Sequence, residues 1–269
     1  MTELVPRLPP HARATIETFL RAHALGPGLD GVVVGLSGGI DSALTARLAV
    51  DALGADHVQG VMLPDAAFPA ALLEETVGYA RDLGIEARTI PIDPIERAIA
   101  AGLPGLTDVV TVGNIKARVR MVLLYAIARS RHRLVAGTGN KSELLLGYFT
   151  KYGDGGVDLL PIGDLYKTEV RELSAELGLP EPILRRPPTA GLWDGQTDEA
   201  ELGAPYEVVD RVLRGLEELR SEAEIVAATG IPADRVRDIA RRVLESRHKR
   251  RLPPVAKVGL RTVGIDWRE

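Results

Sequence analysis

Residues 31–42, Gly-Val-Val-Val-Gly-Leu-Ser-Gly-Gly-Ile-Asp-Ser, constrain this chain more than any other stretch. Val32 to Val34 are consecutive β-branched residues, which suit a strand buried on both faces. Ser37-Gly38-Gly39 allows a tight turn, because glycine adopts backbone angles that a Cβ forbids. Asp41, Ser42 and the Ala-Leu-Thr-Ala-Arg-Leu-Ala run after them open a helix. Backbone N–H groups and the macrodipole at such a helix start form an anion site, and a phosphate is its natural occupant. The loop lacks the Gly-Lys-Ser/Thr ending of a Walker A loop. Asp41 stands there instead, a hard oxygen ligand suited to Mg²⁺ on a nucleotide's phosphates. An ordinary strand–turn–helix junction that binds nothing is the alternative reading of the same residues.

The rest of the chain repeats this alternation. Strand patterns at 57–63, 86–92, 133–137 and 159–162 join the one at 31–36, and helical patterns at 8–25, 41–53, 69–83, 114–131 and 166–177 separate them. Residues 102–113, with Gly102, Pro104, Gly105 and Gly113, read as a connection. The alternation predicts an α/β protein with a doubly wound, mostly parallel five-stranded sheet between helices. Ligands bind such sheets at the carboxyl ends of the strands, near the switch in strand order, which is where residues 37–42 fall. Beyond Gly178 the pattern changes. Pro180, Pro182, Pro187 and Pro188 mark a connection, and from Pro205 onward the chain reads as helical. We expect a single domain over 1–269, with a nucleotide-binding core at 1–180 and a connection plus packed helices at 181–269.

Composition excludes several classes. A net charge of −4 gives no general nucleic-acid surface. No apolar run reaches the length of a signal peptide core or a membrane span, so a cytoplasmic protein is expected. Cysteine is absent, which excludes disulfides, thiolate metal sites and a cysteine nucleophile that would release ammonia from glutamine. Lysine is scarce: 6 Lys stand against 27 Arg, and five of the six fall in the motifs below. A lysine is a compact, rotatable point charge suited to reaching a phosphate, where arginine is a planar fork.

Val135-Ala136-Gly137-Thr138-Gly139-Asn140-Lys141-Ser142-Glu143 is a second strand, glycine turn and helix start. Thr138 offers a hydroxyl. Glu143 can join Asp41 on Mg²⁺, or it can be the acid of a capping box with Asn140, three residues before it. Gly147-Tyr148-Phe149-Thr150-Lys151-Tyr152-Gly153-Asp154-Gly155-Gly156-Val157-Asp158 places aromatic rings among four glycines, one lysine and two aspartates. It reads as a flexible surface loop or as a stacking platform for a flat heterocycle, with Asp158 accepting hydrogen bonds and Lys151 holding phosphate.

Ser-Gly-Gly-Ile-Asp-Ser at 37–42 resembles the pyrophosphate loop of the ATP pyrophosphatase superfamily, whose members split ATP between its α and β phosphates. The run Gly147 to Ile162 resembles the signature loop of the NAD synthetases. Further matches follow in order: the helix motif at 113–121, Asp164-Leu165-Tyr166-Lys167-Thr168-Glu169-Val170, Pro188-Thr189-Ala190, residues 197–203 and His248-Lys249-Arg250. The resemblance covers roughly residues 10–257. It implies a Rossmann-like ATP pyrophosphatase fold and a homodimer with its dinucleotide site near the subunit interface. It further implies that Gly35, Leu36, Ser37, Gly38, Gly39, Ile40, Asp41, Ser42, Thr138, Lys167 and Thr189 bind ATP, and that Asp41 and Glu143 hold Mg²⁺. Arg118, Lys151, Asp158, His248 and Lys249 would bind deamido-NAD. Asp41, Lys167 and Asp158 are the expected catalytic residues, with Asp158 or Asp154 as the candidate to take the proton that ammonia loses. Lys116 and Arg120 share one helical face while Arg118 points elsewhere. One departure stands out: Leu63-Pro64-Asp65-Ala66-Ala67-Phe68-Pro69 is less polar than a nucleotide-contacting loop should be.

The implied reaction is the last step of NAD biosynthesis, in which deamido-NAD is amidated through an adenylated intermediate with release of pyrophosphate and AMP. Free ammonia is the expected nitrogen donor, since the chain has neither a cysteine nucleophile nor the length of a glutaminase domain. A GMP synthetase core or tRNA-modifying relative would use the same first loop with another acceptor, and a nucleotide sensor would use it without catalysis.

Overall fold

The computed structural model describes residues 4–105, 107–189, 191, 193 and 195–267. Helix α1 (Ala12–Ala24) leads into a two-stranded antiparallel hairpin, β1 (Leu25–Gly26) and β2 (Leu29–Asp30), which the sequence pattern did not reveal. Then come β3 (Val32–Gly35), α2 (Ile40–Leu53), β4 (Val58–Met62), α3 (Ala70–Asp82) and β5 (Glu86–Thr89). Helices α4 (Asp93–Gly102) and α5 (Val109–Ser130) precede β6 (Leu134–Ala136). The helices α6 (Lys141–Leu146), α7 (Lys167–Glu176), α8 (Glu181–Leu184), α9 (Asp198–Leu202), α10 (Tyr206–Glu217), α11 (Glu222–Thr229) and α12 (Ala233–Glu245) complete the chain.

Strands β3 to β6 form one parallel sheet in the order β5-β4-β3-β6. Val32, Val33 and Val34 are fully buried in its centre, paired with Val58 to Gly60 on one side and Leu134 to Ala136 on the other. The chain runs outward from β3 through β4 to β5, then crosses back to β6. The strand order therefore switches between β3 and β6, and the loops after these two strands open the crevice in which such sheets bind ligands.

The sheet has four strands where five were expected. The stretch 159–162 is reduced to a single parallel bridge between Ala136 and Leu159. Pro161 has no N–H to extend the ladder, and the chain turns at once, with Gly163 N donating to Leu160 O and Leu165 N to Ile162 O. Helix α5 starts earlier than its glycines suggested. Asp108 caps it, accepting from Thr111 N at 2.8 Å and Thr111 Oγ1 at 2.7 Å.

Two apolar clusters cover the sheet. One joins α1, α2, α7 and α8 to the strands, and the other packs α4 and α5 on the opposite face. A third holds the C-terminal helices together and also contains Leu4, Leu146 and Tyr166. Among the described residues no helix is long and apolar enough to cross a membrane.

Candidate active site

Loop 37–42 is folded by its own small side chains. Ser42 Oγ donates to Gly39 O at 2.9 Å and accepts from Ser37 N at 3.3 Å, while Gly39 N donates to Ser37 Oγ at 3.2 Å. Gly38 has φ +77°, and a Cβ there would lie 2.5 Å from Leu72 Cδ1 on α3. Gly39 caps α2 in extended backbone with no side-chain hydrogen bond. The first turn of α2 therefore keeps its anion-binding character.

At the end of this loop stands a charge cluster built around a buried lysine. Asp41, in the first turn of α2, accepts from Asn140 Nδ2 at 2.9 Å through Oδ1 and from Lys167 Nζ at 2.5 Å through Oδ2. Lys167 Nζ also lies 3.5 Å from Glu143 Oε1, and its side chain is only 2% exposed. The capping-box reading of Glu143 holds: Oε2 accepts from Asn140 N at 3.2 Å, while Oε1 faces the lysine. Burial alone lowers a lysine, but Asp41 and Glu143 outweigh it and hold Lys167 above its ordinary value. Burial, and then the charge of Asp41, push the Glu143 carboxyl upward against the pull of Lys167.

The cluster lines a cleft of ≈ 670 Å³ that runs from loop 37–42 past Thr138 and Thr189 to Phe149, Asp154 and Lys249. All the residues expected at ATP reach this cleft except Gly38, which lies behind the loop against α3. Thr189 Oγ1 donates to Gln196 O at 2.7 Å. Its neighbour Ala190, part of the same motif, lies outside the described residues.

The residues expected at the dinucleotide divide into two groups. Lys249 lines the cleft, and Nζ donates to Gly147 O at 2.6 Å and Phe149 O at 2.8 Å, tying the end of the helical part to the signature loop. Arg118, Lys151 and His248 do not line it. They form a strip beside it, in which Arg118 donates to Lys151 O at 3.3 Å and Lys151 Nζ to His248 O at 2.9 Å. Asp158 is also outside the lining, with its oxygens accepting from Tyr125 Oη at 3.0 Å and Val135 N at 2.8 Å.

Loop 63–69 carries a side chain with no assigned role in the sequence reading. Asp65 is buried and accepts from Lys116 Nζ at 2.6 Å, with Arg120 Nη2 at 3.7 Å. Lys116 and Arg120 thus share one helical face and one partner, and Arg118 points elsewhere. Asp198 is a further addition: it is 3% exposed, lines the cleft and accepts from Tyr206 Oη at 3.1 Å. Its position in the Thr197–Gly203 motif was the only signal.

Asp41 and Glu143 are hard oxygen donors whose oxygens already converge on one cation, the Lys167 ammonium, so the pair suits a divalent cation. Among the described residues no group of three or more His, Cys, Asp or Glu could hold a metal alone. Two carboxylates suffice for Mg²⁺ when phosphate oxygens and water complete its shell.

A glycine turn at the switch point of a parallel sheet, ending in one of two carboxylates that hold a buried lysine at a cleft, defines an α/β fold whose polar site lies where such sheets bind ligands. The family model described as NAD synthase matches residues 13–253, and the chain belongs to that family. It is 51% identical over 250 residues to the "NH(3)-dependent NAD(+) synthetase" of Methanosarcina acetivorans, covering 92% of this chain and 98% of that one. Among solved structures it resembles the NMN synthetase of Francisella tularensis, with TM-score 0.82, 35% identity and 93% and 99% of the two chains covered. It also resembles the NH3-dependent NAD synthetase of Campylobacter jejuni, with TM-score 0.77, 32% identity and 91% and 98% covered. The chain is an ammonia-dependent NAD synthetase by family, and its reaction is NAD synthesis by amidation.

Proposed function

We propose that the chain amidates deamido-NAD with ammonia in an ATP- and Mg²⁺-dependent reaction that passes through an adenylated dinucleotide. The observation that carries this reading is the Lys167 ammonium held between Glu143 and Asp41, the latter at the end of loop 37–42, on the lining of one cleft. The nicotinate carboxylate attacks the α-phosphorus of ATP, the bond from that phosphorus to the bridging oxygen breaks, and pyrophosphate leaves. Lys167 and the backbone N–H groups of loop 37–42 stabilise the charge that grows on the leaving group. Asp41 and Glu143 would hold Mg²⁺, whose Lewis acidity polarises the phosphoryl oxygens when it is bound. Ammonia then attacks the activated carbonyl, AMP departs with its oxygen, and the nitrogen loses a proton to give the amide. Positioning supplies most of the rate, since no side chain forms a covalent bond.

In this reading Thr138 and Thr189 contact ATP, and Lys249 presents the 147–158 loop to the dinucleotide. Arg118, Lys151, His248 and Asp158 bind the dinucleotide from beside the cleft, and a homodimer interface would close over that strip. The exposure of Val122 on α5, at 59%, is consistent with such a partner surface. A single domain working in the cytoplasm completes the reading.

The purified chain is to be supplied with ATP, Mg²⁺, deamido-NAD and either ammonium or glutamine, with pyrophosphate and NAD measured. Pyrophosphate release that requires deamido-NAD, and turnover with ammonium, are expected. Efficient turnover on glutamine would sink the ammonia assignment. Because one similar structure is an NMN synthetase, nicotinate mononucleotide is the informative rival acceptor, and its preference over deamido-NAD would overturn the substrate.

A further inference from the structure

Asp210 is fully buried on α10, in the helical part of the chain. A buried carboxylate is costly unless its oxygens are well satisfied. Here Oδ1 accepts from Ser142 Oγ at 2.5 Å, and Oδ2 accepts from Thr168 N and Thr168 Oγ1, both at 2.9 Å. Ser142 Oγ in turn accepts from Lys167 N at 2.9 Å. Three helices are therefore joined at one point: α10 supplies the carboxylate, α6 the serine and α7 the backbone of its first turn. Burial raises the Asp210 carboxyl above its ordinary value, and the hydrogen bonds from Ser142 and Thr168 oppose that rise.

Neither Asp210, Ser142 nor Thr168 lines the cleft, yet each of the last two is the sequence neighbour of a residue that does, Glu143 and Lys167. We propose that Asp210 is a positioning residue, setting the separation of Glu143 and Lys167 from a third helix through Ser142 and the first turn of α7. This rests on the reading of Lys167 as the group facing the leaving pyrophosphate. Hydrogen bonds are directional, so the three at Asp210 fix the two helix starts in orientation as well as in spacing. A displacement near 1 Å at such a group costs about 10²-fold in rate.

The test uses the full chain and first establishes pyrophosphate release and NAD formation by the unaltered enzyme. Failure at that stage overturns the proposed function and leaves the exchange measurement below to decide the role of Asp210. In Ser142→Ala, kcat should fall about tenfold, and in Asp210→Ala about 10²-fold, with KM for ATP and deamido-NAD within about twofold. The double variant should be no slower than Asp210→Ala, since both changes break one linkage. Asp210→Asn keeps the shape and an acceptor for Thr168, and should recover part of the loss. In the ligand-free protein, hydrogen exchange at the Lys167 amide should quicken in Ser142→Ala while α10 keeps its protection. If Asp210→Ala does not fold, Ser142→Ala decides alone. Unchanged kcat and unchanged Lys167 exchange in folded Ser142→Ala, a raised KM with kcat kept, or losses that multiply in the double variant would each overturn the proposal.

Discussion

Lys167 and Asp41 stand 126 positions apart in the chain and meet at 2.5 Å, with the lysine side chain only 2% exposed. The pair closes the cleft floor, with Glu143 as the second carboxylate on the same ammonium. Removing one partner of a buried ion pair leaves an uncompensated charge and costs about 3–5 kcal/mol. In Lys167→Met the two carboxylates face each other without the ammonium. The urea midpoint should fall, added Mg²⁺ should restore part of it, and pyrophosphate release should drop by about 10²–10³-fold. Lys167→Arg should not recover the rate, because the guanidinium fork does not fit a space shaped for an ammonium. A wild-type midpoint together with wild-type release in Lys167→Met would count against this role for the lysine.

Gly38 meets two constraints at once, a φ of +77° and a close approach to α3. Gly38→Ala must strain the backbone, at about 1–3 kcal/mol, and its Cβ would meet Leu72 Cδ1 at 2.5 Å and Thr76 Oγ1 at 2.8 Å. Relief would move either α3 or the loop. The expected result is a lower thermal midpoint and weaker ATP binding by calorimetry, with the helical C-terminal part undisturbed in its hydrogen exchange. ATP binding at wild-type strength would show that the loop does not need this conformation.

How far these features were legible depends on how local their causes are. Three valines, a glycine turn and Asp41 announced β3, the loop and α2, because each residue acts on its own backbone. Helical spacing alone placed Lys116 and Arg120 on one face, and both turn to Asp65. Asn140 and Glu143, three apart, declared a capping box, but that Glu143 also faces Lys167 depends on a contact 24 positions away. Asp210 reaches Ser142 across 68 positions and Thr168 across 42. No window of sequence holds such a relation. The fifth strand failed for a local reason: Leu159 to Ile162 is apolar enough to pair, but pairing needed an N–H that Pro161 lacks. Arg118, Lys151 and His248 could be grouped only through a family resemblance, and it is the packing of α12 against α6 that brings His248 to the other two.

Glu96 on α4 gives a pH dependence with a defined sign. Burial, more than any neighbouring charge, raises its carboxyl above the ordinary value, with Lys116 pulling the other way. Its Oε1 is buried without a hydrogen-bond partner. A carboxyl that is raised in the folded state binds its proton more tightly there than in the unfolded chain. The stability it contributes is therefore complete below the unfolded value near 4.5, and it is lost as pH rises through the folded value. Glu96→Gln, which stays neutral, should match the wild type in urea midpoint at pH 4 and exceed it at pH 8. Parallel curves for the two proteins across that range would remove burial as the cause.

A change at Lys249 tests whether the 147–158 loop serves the proposed dinucleotide site separately from the Asp41–Lys167 cluster. Its ammonium donates to Gly147 O and Phe149 O and stands 5.4 Å from the centre of the Phe149 ring. Both carbonyls belong to the loop read as the stacking platform, and the lysine follows α12, so this contact fixes the loop from the far side of the cleft. Hydrogen bonds to a charged group contribute about 1.5–3 kcal/mol each, and a carbonyl left in a half-buried site loses its partner outright. In Lys249→Met the loop should lose its anchor while Asp41, Glu143 and Lys167 keep their contacts. The expected signature is a KM for deamido-NAD raised about 10–100-fold, with KM for ATP and the midpoint of Mg²⁺ activation close to wild type. Lys151→Met removes one charge from the strip proposed to bind the dinucleotide and its contact to His248 O, so it should raise the same KM while leaving the 147–158 loop anchored. An unchanged KM in Lys151→Met would take the strip out of dinucleotide binding, and an unchanged KM in Lys249→Met would separate the 147–158 loop from substrate binding.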